Sequence, residues 1–175
     1  MISFPFDRQK AIQVVLWLLG RHGGRLERMK LLKLLFFADR QHLVRHGRPI
    51  CGGSYVAMQH GPVHSEVYDC IKSEQVPDAF ISQGNIVVAK AICDEDFLSE
   101  SDIETLNYAN TTYGNKDSWH LRELTHQLEA WKRNYPDVTQ NTSHALPFED
   151  FFLDDGPAEM LDIMKEDQEI RDLLS

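Results

Sequence analysis

Cysteine is scarce in this sequence and unpaired. Cys51, Cys70 and Cys93 stand far apart with no Cys-x-x-Cys among them, which excludes a disulfide framework or a zinc ribbon and fits a reducing, cytoplasmic compartment. Long apolar runs are missing as well. The longest, Val14 to Leu19, falls far short of the ~20 residues that span a bilayer. The start, Met1 to Asp7, has neither the basic residues nor the small-residue cleavage site of a signal peptide. The expectation is a soluble protein without a membrane partner.

Catalytic signatures are equally absent. There is no Gly-x-Ser-x-Gly elbow, and no cysteine sits in a local nucleophile motif. The pairs Gly23-Gly24 and Gly52-Gly53 lack the spacing of a phosphate-cradling loop. Among eight histidines, His42 and His46 are four apart on a helix, but Arg45 beside them opposes a dication. That pair reads as a solvated helix end whose imidazoles face the last carbonyls. His60 and His64 flank a turn with no third ligand in sequence. No enzyme, metal or cofactor is expected.

Positive charge is in deficit, with 18 Lys and Arg against 27 Asp and Glu over 175 residues, a net of −9. Taken whole, this opposes non-specific binding to nucleic acid. The distribution is uneven: residues 1–48 carry a net of +7, residues 49–148 a net of −8, and residues 149–175 another −8. In the basic part, Lys30, Lys33, Phe37, Arg40 and Val44 lie along one helical stripe, so three cations share a face. A recognition helix is polar on its groove face; this one is apolar almost all round, and its cations are expected to pair with acids from residues 94–104 or from the tail.

Length and composition describe one globular domain. Apolar spacing and punctuation predict helices over residues 7–21, 27–46, 63–72, 101–113 and 118–133, with Asp7 and Asp117 or Ser118 as N-caps and Ser101 with Glu104 at capping-box spacing. β-forming stretches at residues 54–59, 80–83 and 85–91 predict a small antiparallel sheet, the last two forming a hairpin around Gln83-Gly84. Residues 134–143 read as loop and Pro147 to Phe152 as a helical turn. The fold class is therefore mainly α: a single-domain helical bundle around a central buried helix, Glu27 to His46, with a small β insertion. The domain spans residues 1–153, and residues 154–175 form an acidic helical tail whose Met160, Ile163 and Met164 could dock or pack.

One segment stands out chemically. Tyr55, Gln59, His60, Gly61, Pro62, His64 and Tyr68 surround a strand-turn-helix junction, and Tyr and His are residues of interface anchors. An inward-facing structural turn fits the same residues equally well.

The order of several motifs resembles a known family. Lys30 to Arg40, reading Lys-Leu-Leu-Lys-Leu-Leu-Phe-Phe-Ala-Asp-Arg, is similar to the signature helix of the Panacea, or SocA-like, antitoxin domain. Gly47 to Ile50, the stretch Gly53 to Val63, Thr125-His126 with Trp131, and Leu146 to Asp150 follow in the family's order. His64 stands where many members have proline, and Phe36 or Phe37 where tyrosine is frequent. The resemblance implies an antitoxin that neutralises a cognate toxin by direct binding. A proteolytic adaptor delivering a toxin to a protease, or a nucleic-acid-binding regulator, are the alternatives. Arg40, Tyr55, Gln59, His60, Gly61, Pro62, His64 and Tyr68 are the candidate partner-binding residues. Lys30, Lys33, Asp39, His126 and Trp131 carry the structural motif, the last two as a buried polar anchor and its lid.

Overall fold

The computed structural model describes residues 1–135 and 142–175. Helix α1, Arg8–Gly20, starts where the Asp7 carboxylate accepts from the Lys10 N–H at 3.0 Å. A short strand β1, Arg25–Glu27, leads into helix α2, Arg28–His46. Gly47 ends α2 in a left-handed conformation, φ +74°, that lets its N–H bond the Leu43 carbonyl. Strands β2, Tyr55–Met58, and β3, Gly61–His64, precede helix α3, Ser65–Lys72. Strands β4, Phe80–Gln83, and β5, Ile86–Ala89, form the expected hairpin. Helices α4, Glu100–Tyr113, α5, Ser118–His126, and α6, Glu129–Asn134, follow. Strand β6, His144–Leu146, a 3-10 turn at Phe148–Phe152 and helix α7, Ala158–Leu174, end the chain.

The protein is mainly α with a small antiparallel component, as the sequence predicts, but the β residues divide differently. They form two three-stranded sheets, ordered β1-β5-β4 and β3-β2-β6. The segment at 54–59 is thus not in one sheet with 80–91. Residues 61–64 are strand rather than turn and helix start, because they pair with β2 in register Tyr55 to His64 and Met58 to Gly61. Pro62 is tolerated there because β3 is an edge. The helix expected at 118–133 is broken between His126 and Glu129. The capping box lies at Ser99 and Asp102, not at Ser101 and Glu104. The loop expected at 134–143 falls largely outside the described residues.

Helix α2 touches α1, α4, α5, α7, β1, β3 and the Phe148–Phe152 turn. Its residues Leu31 through Asp39 are continuously buried, together with His42 and Leu43, so apolar area leaves water all round it. Phe36 meets the edges of Tyr55 and Phe151 at 5.7 and 5.3 Å between centroids. Helix α7 lies on the body through Met164, which is 2% exposed beside Gly47. Its Ile163, Ile170, Leu173 and Leu174 remain exposed.

Candidate functional site

The β2–β3 hairpin lies against the first turns of α2 and against α5. The turn works only with glycine. Gly61 has φ +108°, and a Cβ there would stand 2.5 Å from Thr125 Oγ1 and 2.9 Å from Lys33 Cε. That close approach lets Lys33 Nζ donate to the Pro62 carbonyl at 2.8 Å. Lys33 is 1% exposed, so it does not share a solvent face with Lys30 and Arg40. The three-cation stripe is corrected: Lys30 is half-buried, and Arg40 pairs with Asp155 of the segment before α7. Burial, reinforced by the Arg122 charge, pulls the Lys33 amine down to about 7.

Lys33 lies on the lining of a surface cleft of about 240 Å3. Met29, Leu32, Met58 and Val63 give the cleft its apolar lining, and Arg28, Gln59, His60 and Tyr68 bring the polar and aromatic groups. The Glu27 carboxylate also reaches it, accepting from the Ser118 hydroxyl at 2.9 Å. Arg28 and Lys72 stand over the Tyr68 ring at 5.8 and 5.5 Å. At the rim, Arg122 Nε donates to His60 Nδ1 at 3.0 Å. Both residues meet Trp119, His60 edge-on at 5.8 Å between centroids and Arg122 above the ring at 5.3 Å. Burial and the charges of Arg122 and Lys33 push the His60 pKa down.

Trp119 is 60% exposed, and sequence reasoning overlooked it. A signal was present: α5 turns Leu121 and Leu124 inward, so an aromatic two residues before Leu121 falls on the opposite side of the helix. Beneath the hairpin, His126 stacks on Trp131 at 3.8 Å and 6°. Trp131 Nε1 donates to the Met58 carbonyl at 2.9 Å, fixing the strand end next to the turn. Burial and the Arg122 charge bring His126 down to about 4.

The candidate segment therefore has two sides. Gln59 and His60 are exposed and Tyr68 half-buried, while Tyr55, Gly61, Pro62 and His64 lie inside. The Tyr55 hydroxyl donates to Asp39 Oδ2 at 2.6 Å, and the Ile50 N–H donates to Asp39 Oδ1 at 2.8 Å. His64 Nε2 donates to the Gly52 carbonyl at 2.8 Å, and its Nδ1 accepts from the Val67 N–H at the start of α3. Asp39, Cys51 and His64 each offer a donor atom within 4.8 Å of the others. Both carboxylate oxygens and both ring nitrogens are already engaged, and burial drives the Cys51 thiol pKa well up. This trio is a hydrogen-bonded core network in chemical character.

Farther along α2, His42 is fully buried rather than at a solvated helix end. Its Nδ1 donates to the Arg48 carbonyl at 2.7 Å, and its Nε2 lies 3.0 Å from the Ser101 hydroxyl. Burial lowers His42 to about 4, so its 3.3 Å approach to Asp102 involves a neutral ring. Asp102 instead meets Lys10 at 2.6 Å and Arg48 at 3.2 Å. Burial alone would raise its carboxyl, but the Lys10 ammonium and the Ser99 N–H hold it below the usual range.

Residues 31–132 match the profile of the family described as antitoxin SocA-like, Panacea domain. The matched stretch contains Lys33, the hairpin, Trp119 and Trp131. The chain is similar to "Antitoxin SocA" of Caulobacter vibrioides (strain NA1000 / CB15N), 42% identical over 48 residues, which is 27% of this chain and 26% of that relative. The matched stretch thus spans about a quarter of the curated relative's length. No solved structure matches the chain. Among the described residues, no helix is long and apolar enough to cross a membrane.

Proposed function

The chain belongs to the SocA-like Panacea family of antitoxins, and from that premise we propose that it neutralises a cognate toxin by binding it directly, as a cytoplasmic, non-enzymatic protein. The observation that carries this reading is the pair of exposed rings, Trp119 and His60, held together by the half-buried Arg122 beside an open cleft. Trp, Tyr and Arg dominate the energetics of protein interfaces when they flank a water-excluding pocket. The rim falls within the family-matched residues. Residues 49–175 as a whole carry a net of −16, which speeds encounter with a basic partner in a salt-sensitive way.

Regulation by nucleic acid loses its support, since Lys33 is buried and Arg40 is paired with Asp155. Delivery to a protease keeps one observation in its favour: α7 presents an exposed apolar pair, Leu173 and Leu174, 86% and 83% exposed. We assign the 154–175 segment to that secondary role and the 1–153 domain to toxin binding. The test is co-expression with the product of the adjacent gene. Growth arrest by that product should be relieved by this chain and the two should co-purify, with the toxin's half-life unchanged. A shortened half-life would favour delivery to a protease. Neither relief nor co-purification would end the antitoxin reading.

A further inference from the structure

We propose that the cleft beside Lys33 receives a segment of the protein partner that presents an apolar side chain next to an aspartate or glutamate carboxylate. The proposal rests on the reading of this face as protein-binding and names the chemistry of what it binds.

Size is the first argument. A volume of about 240 Å3 lies below the ~300–1,000 Å3 of small-molecule pockets and suits inserted side chains. The lining is the second. Met29, Leu32, Met58 and Val63 favour an apolar group, and two of them are methionines, whose flexible thioethers adapt to varied shapes. The rim supplies Trp119, 60% exposed and flanked by Arg122 and His60.

Charge is the third argument, and it selects the partner. Lys33 is buried, and its amine has a backbone carbonyl as partner. Among the described residues, neither Lys33 nor Arg28 forms an ion pair. The lining holds one carboxylate, Glu27, which accepts from the Ser118 hydroxyl, against the two cations Arg28 and Lys33. Burial and the Arg122 charge lower the Lys33 amine, and burial with the charges of Arg122 and Lys33 lowers the His60 and His126 rings. A buried cation without a counterion is costly, and the cost is recovered when a carboxylate arrives. In a chain of net charge −9, this cleft keeps a local positive excess, two cations against one carboxylate.

The experiment uses the full chain and two probe peptides, acetyl-Leu-Glu-Phe-amide and acetyl-Leu-Gln-Phe-amide, followed by NMR. The Glu peptide should shift the Trp119 indole and the Gly61 amide. The Gln peptide should bind about tenfold more weakly or worse, the difference expected of one charge-assisted hydrogen bond. Lys33→Met, a substitution of similar length, should erase the difference between the peptides, and Trp119→Ala should weaken both. A second readout needs no variant: in the unsubstituted chain the Lys33 side-chain titration should move upward when the Glu peptide is added. Equal binding of the two peptides, an unmoved Lys33 titration, or a Glu preference that survives in Lys33→Met would overturn the proposal. So would tighter binding of an oligonucleotide to the same resonances, or occupancy of the cleft by a second copy of the chain. Toxin relief with a cleft that ignores the Glu peptide sinks this proposal and leaves the antitoxin reading standing; peptide binding without toxin relief does the reverse.

Discussion

The two ends of α2 bury ionisable groups in opposite ways. Toward its C-terminal end, Asp39 receives a tyrosine hydroxyl and a backbone N–H, and the neighbouring Asp102 receives Lys10 and Arg48. Toward its start, Lys33 has a single carbonyl. Buried charges are ordinarily paired because leaving them unpaired costs several kcal/mol. The completed end acts as a clamp joining α2, α4 and the Arg48–Cys51 connection. The incomplete end sits on a surface cleft, where a second molecule can complete it. On the proposal made for this cleft, the chain gives up stability at the position where it gains recognition.

This contrast can be broken by mutation. The largest expected effect is at the completed end. Asp102→Ala strands Lys10 and Arg48 and removes half of the Ser99–Asp102 capping box, for a loss of about 3 kcal/mol, read as a lower urea midpoint at constant slope. The Asp102 carboxyl is held below its unfolded pKa, so its contribution is complete above that unfolded value and disappears as pH falls through the folded one. The variant and the native chain should therefore converge in acid. Tyr55→Phe is next. It withdraws the hydroxyl from a buried carboxylate and should cost about 1–3 kcal/mol. A neutral result would mean that Asp39 is not charged in the folded chain.

Lys33→Met should have the smallest effect on stability, within about 1 kcal/mol at neutral pH, because it removes an uncompensated charge. Its signature is in the pH dependence. The folded pKa of about 7 lies below the 10.5 of a free lysine side chain, so between those values the unfolded chain holds more protons than the folded one. Stability of the native chain should rise relative to Lys33→Met from about pH 7 to 10 and level off above. Parallel curves for the two proteins would show that Lys33 keeps an ordinary ammonium, and the difference between the two ends of α2 would collapse.

Helix positions were the most legible part of the sequence, because caps are local chemistry. Asp7, Gly47 and Asp117 are each an end of a helix for reasons confined to a few residues. Strands β1 and β6 were not legible. Arg25-Leu26-Glu27 and His144-Ala145-Leu146 carry little alternating signal, and their extended form comes from pairing with β5 and β2. The same limit applies at the candidate site. Tyr55 turns inward with Ala57 while Val56 and Met58 do not, a parity set by pairing and packing. Lys33 belongs to a helix apolar nearly all round, where periodicity cannot single out an inward face. His42 was misjudged because its partners, Ser101 and the Arg48 carbonyl, come from elements that meet it only in the folded chain.

The arrangement of the β3-β2-β6 sheet bears on timing. Strand β2 lies between β3, a few residues away, and β6, whose Ala145 and Leu146 pair with Val56 and Tyr55. Contacts so distant along the chain form slowly. A nascent chain stopped before residue 144 leaves β2 with an open edge, and one stopped before residue 131 also lacks the indole that holds Met58. The face carrying His60 and Trp119 is therefore finished only after residue 146 has been made and β6 has closed on β2, so the order of synthesis leaves it open longer than the hairpin that forms its core.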